Sequence, residues 1–431
     1  MTFDEAESYL YSLGNEVETM KLGLENITAM LAALGDPQNN YKKVQVAGTN
    51  GKGSVCAFLD SICREAGIRT GLYTSPHLIS ITERIKIDGV DIAEDEFARL
   101  ATRVRQTAET LVADRKLSYT PTFFEQVTAI ALLAFAERDV ELAILETGLG
   151  GRYDAVTAAK AEVAAITRID LDHQEYLGET IEEIAAEKAA IVRPESSVIL
   201  LHQAREVERV LVGRCREVGI EPIWASTDVR IKYEENPTFG SITTERARYG
   251  EIDLQKMPGR HQFENAAIAV GIAELLTENG FSISHDKLVA GLNGARHPGR
   301  LELIQPNILL DGAHNPGGAK ALRAYLDALE GRSVTMVFGA MREKAVSEIA
   351  SILWPKADKL ILTRPSNSRA LAPDELAAAA PNSFPKEKIA KAETVEEAIT
   401  MARSITPPGG LIIVTGSLYL VGEVRGLLNN K

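Results

Sequence analysis

The chain of 431 residues is long enough for two or three domains with full cores, and at 45% hydrophobic and 25% charged residues it excludes a disordered or low-complexity protein. A net charge of −13 excludes a general basic field, so nucleic acid is not expected as a partner, and an anionic ligand must be met by a few placed cations. Three cysteines (Cys56, Cys63, Cys215) show neither metal spacing nor a disulfide framework, the acidic start MTFDEAE lacks an apolar core, and no apolar run is long enough for a membrane span. A reducing cytoplasm and no membrane association are expected.

Residues 3–34 predict two helices, with Leu22, Leu24, Ile27, Met30, Leu31 and Leu34 on the apolar side. A strand at 44–47, a helix at 54–66 and a strand at 70–74 then make a βαβ unit, the mark of a parallel sheet. Its first turn lies in VQVAGTNGKGS at 44–54. Gly48, Gly51 and Gly53 let the backbone turn tightly, so that its N–H groups and the following helix dipole face an anion. Lys52 supplies a mobile cation and Ser54 a hydroxyl suited to magnesium. The usual phosphate loop sets Ser or Thr directly after Lys; here Gly53 intervenes, which points away from common GTPases and kinases and toward a particular subgroup of ATP users.

TSPHL at 74–78 falls at the carboxyl end of the second strand, where ligand loops of open α/β sheets gather. Helices are predicted at 94–113 and 123–138. The apolar strand 140–145 runs into Glu146 and TGLGGRYDA, and the strand 163–167 into RIDLDH. A helix at 181–192 is followed by strand, helix and strand up to Trp224. Short alternating stretches over 226–257 predict a small antiparallel patch, and helices follow near 263–278 and 284–293. From Ile308 the βα rhythm restarts, with strands at 308–310, 333–338, 359–363 and 411–415. The expected fold is α/β: a phosphate-loop domain over 1–296 with a mostly parallel sheet and an antiparallel patch, then a smaller Rossmann-like domain over 297–431.

Ser75, Glu146 and His173 each follow a different predicted strand, so a parallel sheet brings them to one rim. Carboxylates are seldom buried unpaired, and with Ser54 these residues would hold one or two magnesium ions against a triphosphate. The alternative for His173 is a capping or core imidazole. Lys188 falls inside the apolar stripe of Ile181, Ile184, Ala185 and Val192, while Glu182, Glu183 and Glu187 lie away from it. A lysine facing inward must be paired, uncharged or modified; carbamylation by carbon dioxide would make it an anion able to ligate a metal. The alternative is a packed stem whose ammonium escapes to solvent.

VAGTNGKGS at 46–54, YTSPHL at 73–78, FFE at 123–125, ETGLGGRYDA at 146–155 and DLDH at 170–173 continue with LGETIEEIAAEKAAI at 177–191 and HQFENAA at 261–267. PGRLE at 298–302, DGAHNP at 311–316 and GSLYLVGEV at 416–424 complete the series. In this order, over nearly the whole chain, they resemble the folylpolyglutamate synthase and dihydrofolate synthase family within the Mur ligase group. The resemblance implies a ligase that phosphorylates a folate or dihydropteroate carboxylate with ATP and joins L-glutamate to it, between a phosphate-loop domain and a glutamate-binding domain. It implies ATP contacts from Gly48, Thr49, Asn50, Gly51, Lys52, Gly53 and Ser54, from Asn265 at the adenine, Arg300 at the phosphates and Asp311 at the ribose. It implies metal ligation by Ser54, Ser75, Glu146, His173 and a carbamylated Lys188, and catalytic parts for Lys52, Lys188 and His314. His314 and Ser417 fall where the family handles glutamate; the pterin-bearing acid would lie near Met20, Lys21, Leu22, Thr122, Phe123, Phe124, Glu125, Tyr153, Asp154 and Ala155. ATP, two Mg2+ ions and a monomer in one-carbon metabolism complete the expectation.

The chain departs from the family pattern at Thr157, where DATN is usual, at Ala190 in EKAA, and at Ala345, where an acidic residue of DKD is missing. Taken alone, Asp311 also reads as a helix N-cap and Arg300 as an interdomain ion pair. Folylpolyglutamate synthase activity alone, another Mur-type amino acid ligase, and an ATPase switch or transport module are the competing functions.

Overall fold

The β-branched run at Val44 and Val46 becomes the centre of a sheet. In the computed structural model, which describes residues 1–14, 23–226, 228–231, 238–329, 331–382 and 384–429, it forms β1 (Lys42–Ala47). Two units are distinguished: Met1–Val229 with Ile242–Gly250 and Glu264–Ala295, and Arg230–Ser241 with Glu251–Phe263 and Arg296–Lys431. Met20, Lys21 and Leu22 lie outside the described residues.

Helices α1 (Phe3–Ser12) and α2 (Glu25–Ala33) precede β1; α3 (Lys52–Glu65), β2 (Thr70–Tyr73), β3 (Ile85–Ile87), β4 (Val90–Asp91), α4 (Glu94–Ala113) and α5 (Phe123–Glu137) follow it. Next come β5 (Leu142–Glu146), β6 (Val163–Ile166), α6 (Gln174–Leu177), α7 (Ile181–Ala189), β7 (Ser197–Leu200), α8 (Arg205–Glu217) and β8 (Ile223–Trp224). The sheet runs β4-β3-β2-β5-β1-β6-β7-β8, parallel from β2 to β8 with β3 and β4 antiparallel at one edge. Because β5 and β6 flank β1, the strand order reverses there, and the carboxyl edge beside β1 becomes a crevice for ligands.

The parallel register sets Val46 opposite Glu146 and Ala47 opposite Ile166, so all these strands end on one rim. Glu146 is therefore the last residue of its strand rather than the first beyond it, and it is buried. One face of the sheet is covered by α1, α2, α4 and α5, whose Leu10, Met30, Phe97 and Phe135 share a core with Tyr73 and Leu145. Ile184, Leu211 and Cys215 of α7 and α8 pack with Ile166 and Leu200.

Three strands, β9 (Asp228–Ile231), β10 (Phe239–Thr243) and β11 (Arg248–Asp253), make the expected small patch in the order β11-β10-β9. Helix α9 (Arg260–Glu278) starts earlier than the sequence suggested, and α10 (His285–Gly294) packs on α3. The approach is close: a methyl on Gly291 would lie 2.4 Å from Ile62 Cα.

In the second unit β12 (Glu302–Gln305), β13 (Ile308–Leu310), α11 (Pro316–Asp327), β14 (Val334–Phe338), α12 (Val346–Leu353) and β15 (Lys359–Leu362) precede α13 (Pro373–Ala378), β16 (Ile389–Lys391), α14 (Val395–Ile405), β17 (Leu411–Thr415) and α15 (Leu418–Asn429). The sheet order is β12-β13-β17-β14-β15-β16, parallel except for β12. Phe338, Trp354, Leu362 and Ile413 lie in its core.

Candidate active site

Gly51 takes φ 95° and caps α3, so Lys52 opens the helix two residues before the expected start. The turn has no room for side chains. A Cβ on Gly48 would stand 1.8 Å from Thr167 Oγ1, and one on Gly51 2.3 Å from Asn265 Oδ1. Thr49 and Asn50 donate their N–H groups to Arg168 O at 2.8 and 3.2 Å, Asn50 Nδ2 donates to Asp170 Oδ2 at 2.8 Å, and Thr167 Oγ1 donates to Asn50 O at 2.8 Å. The loop after β6 thus clamps the loop after β1. Thr167, Arg168 and Asp170 are contributors that the sequence reading passed over; their sign was an acid and a hydroxyl at the end of a buried strand.

Two amino groups converge on one carbonyl. Lys52 Nζ donates to Gly48 O at 3.1 Å and Lys188 Nζ to the same oxygen at 2.9 Å. Lys188 is buried in α7, as its place in the apolar stripe requires, and its ammonium does not reach solvent. Burial first, and the charge of Lys52 second, pull its pKa down to about 7, while Asp172 and Asp154 oppose the shift.

Ser75 donates its N–H to Glu146 Oε2 at 3.0 Å, which joins the ends of β2 and β5. The Glu146 charge also reaches α3, where it helps burial raise the Cys56 thiol. Ser54, in the first turn of α3, is buried. His173 takes φ 52° at the start of α6, its backbone N–H bonded to Asp172 Oδ1 at 3.0 Å and its Nε2 3.9 Å from the same oxygen. The rim therefore carries Ser75, Glu146, the phosphate-type loop and the Arg168–His173 segment side by side.

Several residues expected at the acid substrate have structural partners. Thr122 caps α5, and Glu125 returns to accept from Thr122 N and Oγ1, both at 2.8 Å. Asp154 accepts from Leu149 N and Val156 N, and burial pushes its carboxyl up to about 6 against those donors. Phe123 and Ala155 are buried, Phe124 packs so closely that a methyl on Gly148 would lie 2.4 Å from its ring, and Tyr153 is exposed.

In the second unit Asp311 does not cap a helix; Asn315 caps α11. Asp311 instead accepts from Leu301 N and Ala313 N at 3.0 Å each, and burial raises its pKa despite the Arg300 charge nearby. Arg300 Nη1 donates to Gly312 O at 3.4 Å. His314 Nδ1 lies 2.8 Å from the same carbonyl, so Nδ1 carries the proton. Ser417 follows β17, the neighbour of β13, and its Oγ accepts from Tyr419 N.

The Mur ligase middle domain family matches residues 46–273, and the Mur ligase glutamate ligase domain family residues 299–418. The dihydrofolate synthase/folylpolyglutamate synthase of Bacillus subtilis is 33% identical over 435 residues, covering 98% of this chain and 98% of its own. The chain belongs to this family of Mur ligases. A probable bifunctional folylpolyglutamate synthase/dihydropteroate synthase of Haloferax volcanii is 33% identical over 99% of this chain but only 50% of its own length, so the chain spans about half of that relative. The folylpolyglutamate synthase of Mycobacterium tuberculosis, complexed with ADP and AMPPCP, superposes with a TM-score of 0.89 at 30% identity, covering 100% of this chain and 98% of that one. A bifunctional folylpolyglutamate synthase/dihydrofolate synthase with Mn, AMPPNP and L-glutamate bound gives 0.85 at 27% identity, with the same coverage. Where this Mur ligase has Thr157, the hydroxyl donates to Gly151 O and accepts from Gln45 Nε2, both at 2.8 Å, and so holds the glycine loop in place of an amide.

Proposed function

We propose that the chain is an ATP-dependent ligase that joins L-glutamate to a folate, and also to dihydropteroate, through an acyl phosphate. We assign residues 1–296 to the nucleotide and the acid, and 297–431 to glutamate. The observation that carries this reading is the shared rim: a glycine turn with two lysines at its first carbonyl, beside a buried carboxylate tied to Ser75.

A carboxylate is a poor electrophile because its oxygen leaves badly. Its oxygen attacks the γ-phosphorus of ATP, the bond to the β-phosphate oxygen breaks, and ADP departs. Lys52 and the N–H groups at the start of α3 hold the phosphates, and Arg300 offsets charge on the moving phosphoryl group. The glutamate amine, deprotonated, then attacks the acyl carbon, and phosphate leaves as the amide forms. With its proton on Nδ1, His314 has Nε2 as the acceptor for the ammonium proton. Water must be excluded, since it would hydrolyse the acyl phosphate.

Among the described residues no three His, Cys, Asp or Glu side chains converge on a metal position. Magnesium takes one or two carboxylates and completes its shell with phosphates and water. Glu146, with Ser54, Ser75 and His173, would hold it, and bound there it neutralises phosphate charge. A lysine with a pKa of about 7 is also the one that reacts with carbon dioxide, since an uncharged amine adds to it and releases one proton. We assign a carbamate to Lys188 on that ground. The cytoplasm, where ATP is supplied and the buried free thiols stay reduced, is the compartment this reading implies.

The test is product formation from dihydropteroate and from tetrahydrofolate with ATP, magnesium and L-glutamate. Mass spectrometry should find each acid heavier by one glutamyl residue. No product from either acid overturns the reading.

A further inference from the structure

A closed ring of four side chains stands beside this site, and only one of them, Phe123, is among the residues expected at the acid. Tyr11 of α1 stacks on Phe123, the first residue of α5, with centroids 5.6 Å apart and planes 8° from parallel. Arg84, which ends a 3-10 turn at Ile81–Arg84, lies over the same ring, 5.3 Å from its centroid. His77 joins the two: Arg84 Nε donates to Nδ1 at 2.8 Å, and Nε2 meets the Tyr11 hydroxyl at 3.2 Å. A guanidinium only donates, so Nδ1 is the lone-pair nitrogen and Nε2–H donates to Tyr11. Two residues before His77, Ser75 donates to Glu146.

Burying a guanidinium against a neutral imidazole is a costly way to hold a loop, and an apolar plug would serve stability better. The contacts are directional instead, and they run from the loop to α1 and to the start of α5. We propose that His77 is a positioning residue: as the Nε2–H tautomer it fastens the loop carrying Ser75 to the Tyr11–Phe123–Arg84 stack, so that the seat of the acid substrate and the Ser75–Glu146 edge are set together. This rests on the function proposed above.

Tyr11→Phe removes only the hydroxyl, and His77→Asn keeps an acceptor toward Arg84 while losing Tyr11. Each should raise KM for the acid and the magnesium requirement about three- to ten-fold, the worth of one hydrogen bond, with KM for glutamate unchanged. The double variant should be no worse than His77→Asn alone, because both cut the same link. Lower melting temperatures with unchanged KM values, or effects that add, overturn the proposal. Amide exchange reads the link without turnover. Exchange at Ser75 should quicken several-fold in Tyr11→Phe, and an unchanged rate overturns the proposal. No product from the unaltered chain would strike the functional reading alone, since the exchange experiment still reports on the link.

Discussion

Burial, and after it the charge of Lys52 at the same Gly48 carbonyl, pull the Lys188 pKa down to about 7. A buried ammonium needs an anion close by, and here the nearest cationic neighbour, Lys52, works against it. Lys188→Ala should therefore lower turnover by about 100-fold or more. Short carboxylic acids should restore part of it by standing in for a carbamate, as steady-state rates with and without formate or acetate would show; a fully active alanine variant would remove the carbamate from the account. His77 links folding stability to pH. Burial, then the Arg84 charge, pull its pKa down to about 3 from 6.5, so the unfolded chain takes up the proton first. The stability it contributes is complete above pH 6.5 and is lost as pH falls toward 3. Urea midpoints should fall from pH 6.5 to about 5, and less steeply in His77→Asn. The inward face of Lys188 was legible because an apolar stripe is local to one helix. Its acceptor was not, being 140 residues away in sequence; the Asn50–Asp170 bond, 120 residues apart, was hidden for the same reason.

The turn between β1 and α3 depends on Gly48, where a Cβ would strike Thr167, and on Gly51. Gly51 needs its left-handed φ of 95°, and a methyl there would also strike Asn265. Gly51→Ala should cost about 1–2 kcal/mol for the backbone alone. It should also abolish the thermal shift produced by ATP, and a normal shift would speak against this turn as the phosphate site. At the start of α5 the Thr122–Glu125 pair is a capping box, so Thr122→Ala should cost about 1 kcal/mol in urea denaturation while Thr122→Ser costs little. Long elements such as α4 and α5 were readable from their periodicity. Strands β3, β4, β12 and β16 were not, because they lie at or next to sheet edges without a fully buried apolar run such as that of β13, and pairing alone makes them strands. β5 ends one residue beyond its apolar run, because Glu146, though polar, stays in register with Val46.

Across the whole molecule the two mostly parallel sheets gather their chemistry-bearing residues at the carboxyl ends of parallel strands, as open α/β folds do. The alternation of strand and helix announced that architecture. Strand order was beyond it: β17, the last strand, inserts between β13 and β14, a choice made by long-range packing that leaves no local trace, and this insertion bonds Asp311 N to Val414 O and Gly416 N to Ala313 O, so the segment that leads to Ser417 runs along the one that leads to His314. In the function proposed, nucleotide phosphates at the first sheet's edge activate an acid toward an amine. The most direct measurement is phosphate release from ATP with acid and glutamate together and with each left out. The account predicts sustained release only when both are present, matched one to one by amide product. Sustained release of equal rate without glutamate would contradict it.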